Sequence, residues 1–315
     1  MGIRGLGGFL KSKVPKARRG IQWAAHRGER WGVDISCLLY RARGAGLSTT
    51  TVIASLLVRM RLAGITPIVV FDGKPPVAKT AVIEQRRTVR VAAQKEIATI
   101  QQQIDTEPQT ERTRAELHTR VADLQKKAPT VSNGEKNDIK QLLYAAGVQF
   151  VTASGEADDL LAYLVRAGVT HGVVSTDMDM LARGVQTLIV PETPDVTVLT
   201  EISLSGILTA LGLTYEQFVN ACQLMGSDYA PAGWHGMDPR SAIASAAAGT
   251  PLSEEMAHGA AMLAGVGVTW ESLLAEKQRE KWAAGAPVPE AGTLGLMVMK
   301  EGWPQDWVSV LGQIA

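Results

Sequence analysis

Short apolar runs recur along the chain, each followed by a loop and then by apolar residues at helical spacing. The runs are residues 31–35 (WGVDI), 66–71 (TPIVVF), 148–152 (VQFVT), 172–176 (GVVST) and 187–190 (TLIV). Helical spacing follows in residues 47–63 and 157–167. Short buried strands alternating with amphipathic helices predict an α/β fold with a mostly parallel, doubly wound central sheet.

Residues 82–127 break this rhythm. They read as two helices, 82–105 and 109–127, interrupted near Pro108, with apolar positions at Ile97, Ile100, Ile104, Leu117, Val121 and Leu124. That spacing gives narrow apolar stripes in a charged, Gln-rich surround. A long helical pair between two strands is either a lid over a site or a self-associating hairpin. From about Leu204 onward the pattern is helical and Ala/Gly-rich. The expected division is therefore 1–81, the helical insert 82–135, a second α/β region 136–228, and a helical C-terminal subdomain 229–315. No repeat and no low-complexity tract interrupts it.

The net charge of +1 conceals a strong asymmetry. Residues 1–144 hold 25 Lys/Arg against 12 Asp/Glu, and residues 145–315 hold 7 against 19. A basic half suits a polyanion, because phosphate contacts release counterions. An acidic half suits bound metal or a basic partner. No apolar run approaches the ~18 residues of a membrane span, and the basic, Gly-rich start (MGIRGLGGFLK) is no secretory signal. Cys37 and Cys222 form no CxxC and no zinc spacing with the five scattered histidines. They read as free thiols in a reducing intracellular compartment, nuclear or at a cytoplasmic replication site. The absence of GxxxxGK[ST] argues against ATP use.

The candidate chemistry lies in where the acids fall. Asp34 is in or at the end of the first run, and Asp72 directly follows the second. Glu156 and Asp158 follow the third, and Asp177 and Asp179 the fourth. Carboxyl ends of parallel strands open on one edge, so these carboxylates would converge there. Converging carboxylates repel, and burying them uncompensated is costly. Oxygen ligands of this kind suit Mg²⁺ or Mn²⁺, and two ions about 4 Å apart serve phosphodiester cleavage. Taken singly, each acid could equally cap a helix or close a turn.

In these residues the chain resembles the flap endonuclease/XPG family of structure-specific 5′ nucleases. The likeness runs from Met1 to about Ser245. It is carried in order by MGIRGL, VDISCLLY, VFDGKPPVAK with QRR shortly after, ASGEADDLLAYL, STDMDMLARG and QLMGSDYAP. The resemblance implies a PIN-like 5′ nuclease fold with a helical arch and a helix–hairpin–helix-like element. It also implies flap endonuclease and 5′–3′ exonuclease activity on branched DNA, in replication, repair or recombination. Related activities on RNA, bubbles or four-way junctions, and a non-catalytic nucleic-acid-binding role, are the alternatives.

The same resemblance assigns roles. Asp34, Asp72, Glu156, Asp158, Asp177, Asp179 and Asp228 would hold two Mg²⁺, with Mn²⁺ as substitute. Lys79 and Arg86 would stabilise charge on the scissile phosphate, although each also reads as a solvated surface cation. Gly2 would line the junction. Tyr40 would stack on a base, or belong to the core beside Leu38 and Leu39. The insert would be the arch, with Arg87 and Arg90 facing the flap. The duplex-gripping element, often with K⁺, corresponds to GMDPRSA, including Gly236 and Arg240. Asp238 stands there where a glycine is usual, and its carboxylate would repel phosphate. Asp158 replaces the usual Glu and Asp159 a usual small residue, so either could be the ligand. The C-terminal WVSVLGQIA carries no evident sliding-clamp motif.

Overall fold

The computed structural model describes residues 2–75, 80–106, 110–229 and 236–313, apart from the side chains of residues 81–83 and 86. The described residues form seven strands: β1 (Arg18–Gly20), β2 (Arg30–Asp34), β3 (Thr66–Phe71), β4 (Gln149–Thr152), β5 (Gly172–Val174), β6 (Thr187–Pro191) and β7 (Leu199–Ser203). They make one sheet in the order β1-β7-β6-β5-β2-β3-β4. Strands β2 to β6 run parallel, whereas β7 is antiparallel to both β6 and β1.

The helices are α1 (Leu6–Lys13), α2 (Ile35–Gly44), α3 (Thr49–Leu62), α4 (Thr80–Thr106), α5 (Glu111–Lys127), α6 (Asn133–Ala145), α7 (Ala157–Arg166), α8 (Asp179–Ala182), α9 (Leu204–Leu211) and α10 (Tyr215–Met225). They continue as α11 (Pro239–Ala247), α12 (Glu254–Leu263), α13 (Trp270–Leu273), α14 (Glu276–Ala283), α15 (Ala291–Glu301) and α16 (Asp306–Leu311).

The period of two along each strand sorts its side chains between two cores. Ile68, Val70, Val173 and Leu188 join one core with α1 and α7 to α13. Trp31, Val33, Val69, Phe71, Val174 and Ile189 join the other, with α2, α3, α6, α15 and α16. The helices start where short polar side chains take up their first amides. Ser48 and Ser132 cap α3 and α6, the latter with Glu135 in a capping box, and Thr214 with Gln217 does the same for α10. Leu160, Leu161 and Leu164 of α7 are fully buried, each contributing about 1.5–3 kcal/mol by leaving water. Gly32 makes their approach possible, since a Cβ there would come 2.5 Å from Leu161 Cδ2.

The parallel strands match the expected runs to within two residues: Ile35 opens α2 and is not the last residue of β2, and β5 ends at Val174, not Thr176. Strands β1 and β7 were not expected, because charged residues disguise them. Arg19 of β1 bonds Glu201 of β7 at 2.9 and 3.1 Å, and His26 Nε2 approaches the same carboxylate at 3.2 Å. The insert forms α4 and α5, within about two residues of expectation, with Ala93, Ile100, Val121 and Leu124 as its own small core. Among the described residues no helix is long and apolar enough to cross a membrane.

Candidate active site

From β2 the chain moves through β3 to β4 on one side and returns through β5 to β6 on the other. The switch point between β2 and β5 is where a doubly wound sheet opens a crevice at its carboxyl edge. The acids flank this point on four adjacent strands. Asp177 and Asp179 follow β5, Asp34 ends β2, Asp72 follows β3, and Glu156 precedes α7 after β4.

Neighbouring backbone and side chains fix several of these acids. Asp34 caps α2, accepting from the Cys37 N–H at 3.3 Å, and Ser175 Oγ donates to it across the switch point at 2.8 Å. Asp72 Oδ1 accepts from the Ala157 N–H at 2.9 Å, at the positive end of α7. Asp177 Oδ1 accepts from the Asp179 N–H at 2.9 Å, and Asp179 is fully buried. Gly73 locks the Asp72 turn to the turn before Glu156: its N–H donates to Gly155 O at 2.7 Å, and a Cβ there would fall 1.9 Å from Ala153 O.

The N-terminus closes the other side. Arg4 N–H donates to Gly226 O at 3.1 Å, tying the chain start to the turn that carries Asp228. Gly2, at φ +59°, lies so close to the acids that a Cβ would come 2.3 Å from Asp177 Oδ1 and 3.1 Å from Asp179 Oδ1.

The acids crowd one another. Burial, and then the charge of Asp72, push the Asp34 carboxyl up to about 7, against lowering by its bonds to Ser175 and Cys37. Among the described residues, no three carboxylate, imidazole or thiol groups stand close enough to enclose one ion, so the acids line a shared rim and not a closed cage. Such an all-oxygen rim fits hard divalent cations, which would relieve the repulsion that Asp72 exerts on Asp34. The thiols do not compete as ligands: burial, first, holds Cys37 and Cys222 well above the usual thiol range.

Other expected residues divide. Lys79 lies outside the described residues, as does the Arg86 side chain. Tyr40 is half-exposed on α2 and belongs to neither core. Arg87 is exposed on α4, 3.6 Å from Glu84, and Arg90 is half-buried. Gly236 packs on the turn after α10, where a Cβ would meet Met225 O at 1.8 Å. Arg240 is exposed on α11, whose first amides, those of Arg240 and Ser241, donate to the Asp238 carboxylate.

Three residues with site contacts escaped the sequence reading: Ser175, Tyr229 and Arg183. Tyr229 OH donates to Glu156 Oε2 at 2.9 Å, and the buried Arg183 guanidinium pairs with Asp159 and stands 3.5 Å from Glu156. The signal for Arg183 was present, as a lone charge in the apolar stretch Met180 to Val185, together with the extra acid Asp159.

Family models of the XPG N-terminal domain and the XPG I-region match residues 1–93 and 147–228. Flap endonuclease 1 of Ovis aries is 31% identical over 261 residues, covering 77% of this chain and 65% of that protein. That of Glycine max is 29% identical over 248 residues, covering 73% and 62%. The chain thus matches a little under two thirds of the length of these relatives. Among solved structures, the flap endonuclease-1 from Methanococcus jannaschii superposes with a TM-score of 0.65 at 19% identity, covering 96% of each chain. The catalytic core of Rad2 in complex with DNA substrate gives 0.61 at 18%, covering 98% of each. Human GEN1 in complex with Holliday junction DNA gives 0.56 at 16%, covering 96% of this chain and 76% of that one. These superpositions establish a shared 5′ nuclease fold, and with both XPG segments matched in order, the chain belongs to the flap endonuclease/XPG family.

Proposed function

We propose that this chain is a divalent-cation-dependent nuclease that incises branched DNA near the base of a 5′ flap, leaving 5′-phosphate and 3′-hydroxyl ends. The observation that carries this reading is the convergence of acids from four adjacent strand ends at the switch point, with Gly2 pressed against two of them. Two Mg²⁺, or Mn²⁺ in their place, held by Asp34, Asp72, Glu156, Asp158, Asp177, Asp179 and Asp228, would supply activation of water and stabilisation of the leaving oxygen. The absence of a side chain at Gly2 lets the start of the chain lie directly against the Asp177 and Asp179 carboxylates, where the reading puts the junction. Tyr40, half-exposed on the helix that Asp34 caps, offers a face to a base. Lys79 lies seven residues after Asp72 in the sequence and Arg86 seven further on, and the reading gives both to the scissile phosphate and gives Arg87 and Arg90 of α4 to the flap. The first amides of α11 donate to Asp238, so at this element phosphate contact falls to Arg240, and the proposed reading assigns no K⁺ there. It places the protein in a reducing compartment where DNA is replicated or repaired.

Single-turnover cleavage of a labelled 5′-flap DNA tests this, beside matched single-stranded DNA, a four-way junction and RNA, with Mg²⁺ and with EDTA. The expected result is Mg²⁺-dependent incision at the flap base, faster than on the other substrates. Preference for the junction or for RNA would keep the chemistry and replace the substrate, and no incision of any substrate would overturn the reading.

A further inference from the structure

We infer that Arg183 is a positioning residue, a built-in cation that fixes Glu156 for metal and removes Asp159 from the ligand set. The inference rests on the metal-nuclease reading above. The Arg183 side chain is 0% exposed. Its Nη1 pairs with Asp159 Oδ1, and its Nη2 donates to Tyr229 OH at 2.8 Å and stands 3.5 Å from Glu156 Oε2. Tyr229 OH in turn donates to that same Glu156 oxygen. Arg183 O accepts from Arg166 Nη1 at 2.8 Å, and Tyr215 OH donates to Ala182 O at 2.6 Å, so the end of α8 is itself braced.

These contacts join the three segments that bear the later acids. Glu156 and Asp158 open α7, Asp177 and Asp179 precede Arg183, and Asp228 adjoins Tyr229. One planar fork therefore sets the spacing of all three. A buried guanidinium requires countercharge, and Asp159 supplies it through a direct, charge-assisted bond. Glu156 is then presented to metal from a fixed orientation, as an oriented ligand must be. Asp159 is engaged by Arg183, and the extra acid and the buried arginine explain each other.

The test measures Mn²⁺ binding without DNA, from the EPR signal of the free ion, together with melting temperature and flap cleavage. Four variants are compared with wild type: Arg183→Met/Asp159→Asn, which neutralises both partners, Arg183→Lys, which keeps the charge and loses the fork, Asp159→Asn alone, and Asp158→Asn. The neutral pair should fold and bind Mn²⁺ about 10- to 100-fold more weakly, the usual loss when a ligand's support is removed. Arg183→Lys should weaken binding less. Asp159→Asn, which keeps an oxygen for Arg183, should leave binding near wild type, while Asp158→Asn should not. A purely structural Arg183 would lower the melting temperature and leave Mn²⁺ affinity unchanged in the folded variants, and that result overturns the inference. So does loss of binding in Asp159→Asn as large as in Asp158→Asn. Should the neutral pair not fold, Arg183→Lys and Asp159→Asn decide by the same criteria. Wild type that binds Mn²⁺ but cuts no substrate would sink the nuclease reading alone, whereas wild type that binds no Mn²⁺ would sink both.

Discussion

The acid edge of the sheet rests on two cores that pack whole layers of helix against both sheet faces. The α4–α5 pair rests on four buried residues, Ala93, Ile100, Val121 and Leu124, and on surface ion pairs such as Arg120–Glu96 at 2.7 Å. Catalytic carboxylates need fixed spacing, and a rigid sheet edge with helix amides bonded to Asp34 and Asp72 provides it. A segment that must admit and enclose a strand needs to open locally, and a small separate core allows that without loosening the sheet. On the proposed reading, the difference teaches that precision and access fall to different parts of one chain, and each assignment can be broken separately.

The largest expected effect lies at the edge. Asp177→Ala removes a carboxylate at the switch point and should lower single-turnover cleavage by about three orders of magnitude or more, while flap binding measured in Ca²⁺ persists. Cleavage near the wild-type rate would take Asp177 out of the site. Next is Lys79→Ala, expected to lower single-turnover rate by about two orders of magnitude as an electrostatic stabiliser; an unchanged rate would remove its assigned role. Gly2→Ala should rank beside it. The new Cβ would displace the Asp177 carboxylate, which is the end of a movable side chain. Stability should fall only by the roughly 1 kcal/mol that an alanine at φ +59° costs, read as a small drop in melting temperature, while the rate falls about 100-fold, as for a misplacement on the 1 Å scale. Equal losses in stability and rate would mean that Gly2 serves only the fold.

The edge also predicts a pH dependence of stability. The Asp34 carboxyl is pushed up to about 7 from an ordinary value of 3.8. Between those values the folded chain holds a proton that the unfolded chain has lost, so this group's contribution to stability falls as pH rises through the window and is flat above it. Asp195 and Asp238, bonded by Thr193 and Ser241 first, are shifted the opposite way and act only below that window. The check is denaturant unfolding of metal-free wild type and Asp34→Asn from pH 4 to pH 8. The wild type should lose stability relative to the variant across the window, and Mg²⁺ should abolish the loss. A constant difference would show that Asp34 ionises freely in the folded state.

Much of this edge was legible because its signals are local. Val69-Val70-Phe71 before Asp72, and Val173-Val174 before Asp177, name both the strand and the acid at its end. Strands β1 and β7 were not legible, because the partner that permits each charge is distant: Glu201 is acceptable in a strand only beside Arg19 and His26, more than 170 residues away. Arg183 stood out as a lone charge, but its role was not legible for the same reason, since that role depends on Asp159 and Tyr229. The insert's helices could be read from spacing, but whether they form a lid or a self-associating hairpin depends on what they touch. In this chain α4 packs on α5, and α5 leans on α2, the helix that Asp34 caps.

That arrangement gives the smallest and most discriminating expectation. Leu124 is 6% exposed within the insert's core, and Leu124→Ala should cost about 2–5 kcal/mol where it acts. If that core opens on its own, the cost appears as faster hydrogen exchange in residues 82–127. The global melting temperature should move much less than for Ile189→Ala in the sheet, where the side chain is fully buried. Flap cleavage should fall modestly, with cleavage more sensitive than metal binding, because the acids keep their spacing while the enclosure loosens. A melting temperature lowered as far as by Ile189→Ala would mean that the insert and the sheet unfold together, and the division between a rigid edge and a separately opening enclosure would not hold.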